Sequence, residues 1–223
     1  MYSTYVFDAY GTLFDVHAAA RRHADAVGGD HAALSEVWRQ KQLEFTWTRT
    51  LMDRYVDFWE LTQQALDFAF EKFPNANGAA RQRLLDAYWE LEAFAEVRGV
   101  LKALKDAGKR TAILSNGSSG MLNAAIESAG LADVLDASIS VDRLNRFKAV
   151  PAVYQMVCDD FGIGPGDVSF QSSNRWDVAG AKAFGFRTVW CNRGGLPDEY
   201  RDLPPDMVVS DLNGLIGADE TPA

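Results

Sequence analysis

The stretch "FDAYGTLFDV", residues 7–16, decides how the chain is read. The apolar run "YVF" (5–7) leads into it as a β-strand, and "AYGT" (9–12) ends that strand in a turn. Asp8 therefore stands at the exit of a strand whose apolar character predicts burial. Removing a carboxylate from water is unfavourable unless a charge or hydrogen bonds meet it, so Asp8 predicts a partner elsewhere in the chain. In open α/β sheets the carboxyl ends of the strands are also where ligands bind.

Outward from that stretch, short apolar runs recur at "TAIL" (111–114), "ASIS" (137–140), "VSF" (168–170), "TVW" (188–190) and "MVV" (207–209). Segments with helical spacing separate them: "GVLKALKDAG" (99–108), "MLNAAIESAG" (121–130), "AVYQMVCDDFG" (152–162) and "VAGAKAFGF" (178–186). Several of these end on glycine, the common helix stop. Alternation of this kind predicts an α/β fold, a Rossmann-like parallel sheet covered by helices on both faces. Residues 16–95 break the rhythm. They hold no convincing strand, and helices are expected over roughly 17–27, 31–48, 53–72 and 79–92. The expected organisation is a core of residues 1–15 and 96–223, with 16–95 as a helical cap inserted after the first strand. The insertion is rich in aromatic residues, most of which read as ordinary core.

Bulk properties narrow the function. With 223 residues and 48% hydrophobic content the chain can bury a sizeable core. A net charge of −9 disfavours nucleic acid or an anionic membrane surface as the main partner. No apolar run approaches the roughly 18 residues of a membrane-spanning helix, and nothing before Asp8 reads as a signal peptide. Cys158 and Cys191 have no metal spacing and read as small apolar residues within elements. A reducing cytoplasm is the expected location.

The strand ends collect the polar candidates: Asp8 and Thr12 at the first, and Ser115 and Asn116 in "LSNGS" (114–118) at the second. Lys148 and Tyr154 follow the third, and Ser172, Ser173, Asn174 and Asp177 lie in "SSNRWD" (172–177) after the fourth. Singly, the serines, asparagines and Asp177 read as turn or helix-capping residues, and Lys148 reads as a surface lysine. Gathered on one rim of one sheet, they read as a functional set. His17, His23 and His31 all fall in the insertion, so a Ser-His-Asp hydrolase has no evident base. Zinc spacing and the glycine-rich nucleotide motifs are also missing. A carboxylate is the best candidate nucleophile.

These motifs resemble the haloacid dehalogenase superfamily, and within it the L-2-haloacid dehalogenases. The resemblance rests on "DAYGT" (8–12), "LSNGS", Lys148 with Tyr154, and "SSNRWD". "WRQKQLEFTW" (38–47) and "DRYVDFWELT" (53–62) are similar to the family's cap helices. It implies cofactor-free hydrolysis of a short 2-haloalkanoic acid to the hydroxy acid, with Asp8 displacing halide from C2 and forming an ester. Arg39 and Asn116 would cradle the halide, and Ser115 with nearby amides would hold the substrate carboxylate. Thr12, Tyr154, Ser172 and Asn174 would position groups around Asp8. Asp177, with Lys148, would activate the hydrolytic water. Tyr10, Leu43, Phe58 and Trp176 would form an apolar wall. A homodimer is implied as well.

The superfamily also contains magnesium-dependent phosphatases, which carry a second aspartate two residues after the nucleophile. Here that position is Tyr10. The fourth motif, moreover, offers Ser172, Ser173 and Asn174 where acidic ligands would stand, a poor set for Mg²⁺. The rival readings are such a phosphatase, acting on a small phosphorylated metabolite, and an anion-binding homologue without turnover. Two departures from the family pattern stand out. Proline follows Lys148 only at Pro151, in "KAVP" (148–151), and Arg175 occupies a position usually given to a small residue. Arg175 is expected to face solvent.

Overall fold

A computed structural model describes residues 2–216. Six strands, β1 (Thr4–Phe7), β2 (Arg110–Ser115), β3 (Ala137–Ser140), β4 (Val168–Ser172), β5 (Arg187–Cys191) and β6 (Met207–Val209), form one sheet. Its order is β3-β2-β1-β4-β5-β6, and every pairing is parallel. β1 and β4 are buried along their whole length, as strands covered on both faces must be. This explains the apolar run Tyr5–Phe7 of β1, whereas β4 buries Ser169 and Gln171 between its apolar residues, and the whole is the expected α/β, Rossmann-like core. The chain order reverses beside β1, which pairs with β2 on one side and β4 on the other. Asp8 thus leaves the sheet at its topological switch point.

Helices α1 (Ala18–Arg22), α2 (Ala24–Val27), α3 (His31–Leu51), α4 (Phe58–Lys72) and α5 (Arg81–Trp89) follow β1. Helices α6 (Val97–Asp106), α7 (Ser119–Ser128), α8 (Pro151–Phe161) and α9 (Arg175–Phe184) connect the later strands. α8 illustrates the local rules: Pro151 opens it, and Gly162 closes it in the left-handed conformation at φ 63°. Cys158 in α8 and Cys191 in β5 are buried free thiols, in keeping with their reading as small apolar residues.

All four expected helices differ at a boundary, and α3 runs on to Leu51 rather than 48. The 17–27 helix is two short ones that meet at His23. The 53–72 helix starts at Phe58, because the Asp57 carboxylate caps it by accepting the Glu60 N–H at 3.0 Å. Residues 52–57 instead cross to the loop after β3, where Tyr55 bonds Asp142. The last helix stops at Trp89, and the chain beyond it pairs with the residues that leave β1. Asp15 N–H donates to Glu92 O at 3.0 Å, and Phe94 N–H donates to Leu13 O at 2.9 Å. Residues 13–15 and 92–94 therefore lie side by side.

α3 and α4 pack through Leu34, Trp38, Leu61, Ala65 and Leu66, all buried. The polar groups in that seam are paired. Trp38 Nε1–H donates to Thr62 O at 2.8 Å, and Gln42 Nε2–H donates to Thr62 Oγ1 at 3.0 Å. A seam so well satisfied fixes where α3 presents Arg39.

Candidate active site

The site is built from the strand ends upward. Asp8 is 6% exposed, Lys148 1% and Asp177 not at all. The Lys148 ammonium lies between the carboxylates, 3.1 Å from Asp8 Oδ1 and 2.8 Å from Asp177 Oδ2. Here is the partner that the buried Asp8 requires. Two carboxylates share one ammonium, so the buried cluster carries a net negative charge and one acid must lose. Asp177 is the loser. Burial drives its pKa up to about 6, Lys148 pulling it down and Asp8 pushing it further up. Burial also opposes the Lys148 charge, but the two carboxylates outweigh it and hold its pKa above the ordinary lysine value. The Lys148 N–H donates to Asn116 Oδ1 at 2.9 Å, so the "KAVP" departure leaves the lysine anchored at the site.

The two oxygens of Asp8 have different surroundings. Oδ2 accepts from Thr12 Oγ1 at 3.0 Å, Ser172 Oγ at 3.2 Å and Asn174 Nδ2 at 2.7 Å. At Oδ1 the donor is Lys148. These donors are held in turn. Thr12 Oγ1 accepts the Ser173 N–H at 2.8 Å, and Ser172 Oγ accepts the Asn174 N–H at 3.1 Å. Tyr154 donates its hydroxyl to Asp177 Oδ1 at 2.9 Å. Burial, followed by the Asp177 charge, keeps that phenol protonated far above neutrality.

Above Asp8 lies a cavity lined by Tyr10, Arg39, Leu43, Phe58, Ser115, Asn116, Asn174 and Trp176. Its volume is about 10 Å³, roughly the room one water molecule needs. Arg39 comes down from α3, with its guanidinium 2.9 Å from Tyr10 O and 3.4 Å from Asn174 Oδ1. Ser115 Oγ accepts the Gly117 N–H at 3.0 Å. The Tyr10 ring stacks on Tyr88 at 5.8 Å and leans on Phe58 at 5.7 Å. Every residue named from the sequence as a candidate lies in this cavity or in the bonded layer directly beneath it.

Arg175 corrects an expectation. It is 5% exposed rather than solvated, because as the first residue of α9 it turns toward segment 198–203. There it donates to Asp198 Oδ1 at 2.7 Å, Tyr200 O at 2.7 Å and Leu203 O at 2.8 Å. Other contributors carried no reading from the sequence. A Cβ on Gly117 would stand 2.5 Å from Tyr10 Cε2, and one on Gly180 would stand 2.5 Å from the Tyr154 hydroxyl. Both glycines make room for an aromatic ring, a demand that shows only when distant segments meet. Arg193 donates to Thr12 O at 2.9 Å and to Glu96 at 2.6 Å, tying the loop after β1 to the segment that leads into α6. The turn "NRGG" (192–195) marks a loop there but not its target.

Magnesium fits this arrangement poorly, since a lysine cation already stands between the two carboxylates Asp8 and Asp177. Among the described residues, no group of three or more histidine, cysteine or acidic side chains is placed to hold a metal ion.

The model of the haloacid dehalogenase-like hydrolases matches residues 2–185. The (S)-2-haloacid dehalogenase 1 of Pseudomonas sp. (strain CBS-3) is 51% identical over 94% of this chain and 93% of that protein. The (S)-2-haloacid dehalogenase 4A of Burkholderia cepacia is 49% identical over 94% and 91%. A solved L-2-haloacid dehalogenase of Xanthobacter autotrophicus, with chloropropionic acid covalently bound, superposes with a TM-score of 0.89. It shares 36% identity with full coverage of both chains.

Proposed function

The chain belongs to the haloacid dehalogenase-like hydrolases, and on that premise we infer that it hydrolyses short L-2-haloacids to D-2-hydroxy acids through an ester on Asp8. The observation that carries the mechanism is the asymmetry of Asp8. Oδ2 is engaged by three donors, so Oδ1 has the freer lone pairs and acts as the nucleophile. It attacks C2 from the face opposite the halogen. The C–O bond forms as the carbon–halogen bond breaks, the halide leaves with the electron pair, and C2 inverts. Arg39 and Asn116 meet the charge growing on the halide. Ser115 and the amides beside it hold the substrate carboxylate, while Tyr10, Leu43, Phe58 and Trp176 wall in the alkyl group.

Water then attacks the ester carbonyl carbon, and Asp177 takes its proton. The negative charge of the tetrahedral intermediate develops on Oδ2, where Thr12, Ser172 and Asn174 already donate, so the ground-state clamp becomes an oxyanion hole. On collapse the Cγ–Oδ1 bond breaks and Asp177 returns its proton to the departing alkoxide, which leaves as the hydroxy acid. Asp8 keeps the water oxygen, and loss of the second water proton to solvent restores its carboxylate. Lys148 keeps the paired carboxylates tolerable throughout. Tyr10 completes the logic, because halide leaves without a proton and no acid is needed at that position.

In this reading residues 16–95 act as a cap on a core of 1–15 and 96–223. The nearly closed cavity supports it, because a haloacid needs far more room than one water and the cap must yield to admit it. Leu51 on α3, Met52 just after it and Phe68 on α4 expose apolar surface, which supports a homodimer. No helix among the described residues is long and apolar enough to cross a membrane, and we place the enzyme in the cytoplasm. The test is chloride release from L-2-chloropropionate in EDTA beside an Asp8→Asn control. Release no faster than the control refutes the reading, and magnesium-dependent phosphate release from phosphomonoesters would replace it with a phosphatase.

A further inference from the structure

Beside the closed cavity lies a groove of about 380 Å³, lined mainly by Trp47, Trp176, Ala179, Ala183, Tyr200 and Leu203. Trp176 lines both spaces, whereas two other cavities, beside His23 and beside His17, share no residue with the site. The Trp176 ring touches Trp47 edge-on at 5.4 Å, and its buried indole N–H has no hydrogen-bond partner. Because the Trp176 indole donates no hydrogen bond, turning the ring breaks no polar bond and is resisted by packing alone.

The groove's outer wall is pinned by Arg175. Its three hydrogen bonds fix Asp198, Tyr200 and Leu203, and its guanidinium lies 5.7 Å from the Trp190 ring centre and 5.4 Å from that of Tyr200. From this we propose that the groove is the route by which haloacids reach Asp8, with Trp176 as the gate and Arg175 as the positioning residue that sets the route's width. The proposal rests on the dehalogenase reading. The occupant in transit is the haloacid itself, admitted by the continuity of the groove with the site across one side chain. An apolar mouth suits its alkyl end, and Arg39 lies beyond the gate for the halogen. A pinned wall passes short chains faster than long ones.

A route changes rates without changing equilibrium affinity, and this separates it from a binding subsite. Stopped-flow tryptophan fluorescence on the Asp8→Asn chain measures association and dissociation of L-2-chloropropionate. Ala183 is exposed and lies on the groove, so Ala183→Phe narrows the route without reaching the cavity. Both rate constants should fall by about tenfold with an unchanged Kd, since only the barrier moves. Ala32→Phe, an exposed site on the cavity beside His17, should leave both rates alone. Arg175→Met should speed association of 2-bromohexanoate relative to chloropropionate.

Unchanged association in Ala183→Phe overturns the route and leaves the dehalogenase reading standing. Failure of the Asp8→Asn chain to bind any haloacid overturns both. Rates that vary with protein concentration would assign the groove to a second copy of the chain, and would overturn the route as well.

Discussion

The floor of the site and its roof hold their residues by different means. On the floor, Asp8, Lys148 and Asp177 are fixed by charge and by layered hydrogen bonds that come from the ends of β1, β4 and the loop before α8. On the roof, α3 and α4 supply Leu43 and Phe58, held by packing, with Arg39 as the charged group that reaches the cavity. In the proposed mechanism each floor residue acts through a specific proton or charge, whereas the roof acts through shape and closure. Changes to the floor should therefore act on chemical steps in large factors. Changes to the roof should act on access and stability in small ones.

The sharpest way to break that contrast is Asp8→Asn, which keeps the shape of the floor and removes the proposed nucleophile. Chloride release should fall by about four orders of magnitude or more, as for other nucleophile deletions. A loss of tenfold or less would mean that the floor is scaffold. Next is Lys148→Met, which leaves two buried carboxylates without their cation. Denaturant melts should show a loss of about 3–5 kcal/mol, the usual consequence of stranding a buried charge. Loss of the same size from an Arg39→Met change in the roof would erase the distinction.

Asp177 sharpens the comparison through pH. Its carboxyl, raised to about 6, must be ionised to take a proton from water. The hydrolytic step should slow about tenfold per pH unit as pH falls below that value, and ester should accumulate on Asp8. Stability moves the other way. The folded-state pKa lies above the unfolded value of about 3.9, so from roughly pH 4 to 6 the folded chain binds more protons and this group's contribution declines as pH rises. Asp177→Asn should remove both trends. Rapid-quench detection of the ester and melts across that window would check them.

Gly117→Ala tests the join between floor and roof. The added methyl would meet Tyr10 Cε2 at 2.5 Å, backed by Tyr88 and Phe58. Overpacking of this kind costs about 1–3 kcal/mol, to be read from thermal melts. Adding Tyr10→Leu should recover most of the loss if the clash is its cause.

The same contrast explains what could be read from the chain alone. The floor was legible because each residue follows a recognisable strand, and a carboxylate leaving an apolar run states its own need for a partner. Lys148 was legible only as a member of that set, since alone it looks like a surface residue. The roof was legible as a run of helices after the first strand but not in its edges. The 53–57 segment has helical composition, yet Asp57 caps α4 and the residues before it are drawn across to the core. Arg175 misled because its partners, two backbone carbonyls and Asp198, lie more than 20 residues away in a segment with no periodic pattern. Gly117 and Gly180 resisted for a related reason. What each must avoid is a ring contributed by another part of the chain.

The smallest expected effect lies where the roof is fastened. Tyr55, in the loop between α3 and α4, donates its hydroxyl to Asp142 Oδ1 at 2.7 Å, while Asp142 Oδ2 accepts the Ser119 N–H at 2.8 Å. Nearby, Arg146 bonds Asp53 at 2.8 Å and the Phe147 N–H donates to Thr50 Oγ1 at 3.2 Å. These bonds join roof to floor opposite the paired segments at residues 13–15 and 92–94. Asp142 stays paired without Tyr55, and the Tyr55 ring still packs on Phe147 at 5.0 Å. Tyr55→Phe should therefore cost only about 1 kcal/mol, the net worth of one hydrogen bond. Because this bond fastens the roof and touches no reacting atom, amide exchange should quicken over residues 52–57 while single-turnover ester formation at saturating substrate stays unchanged. Slower ester formation would show that the roof shapes the chemical step itself, and the division between floor and roof would fail.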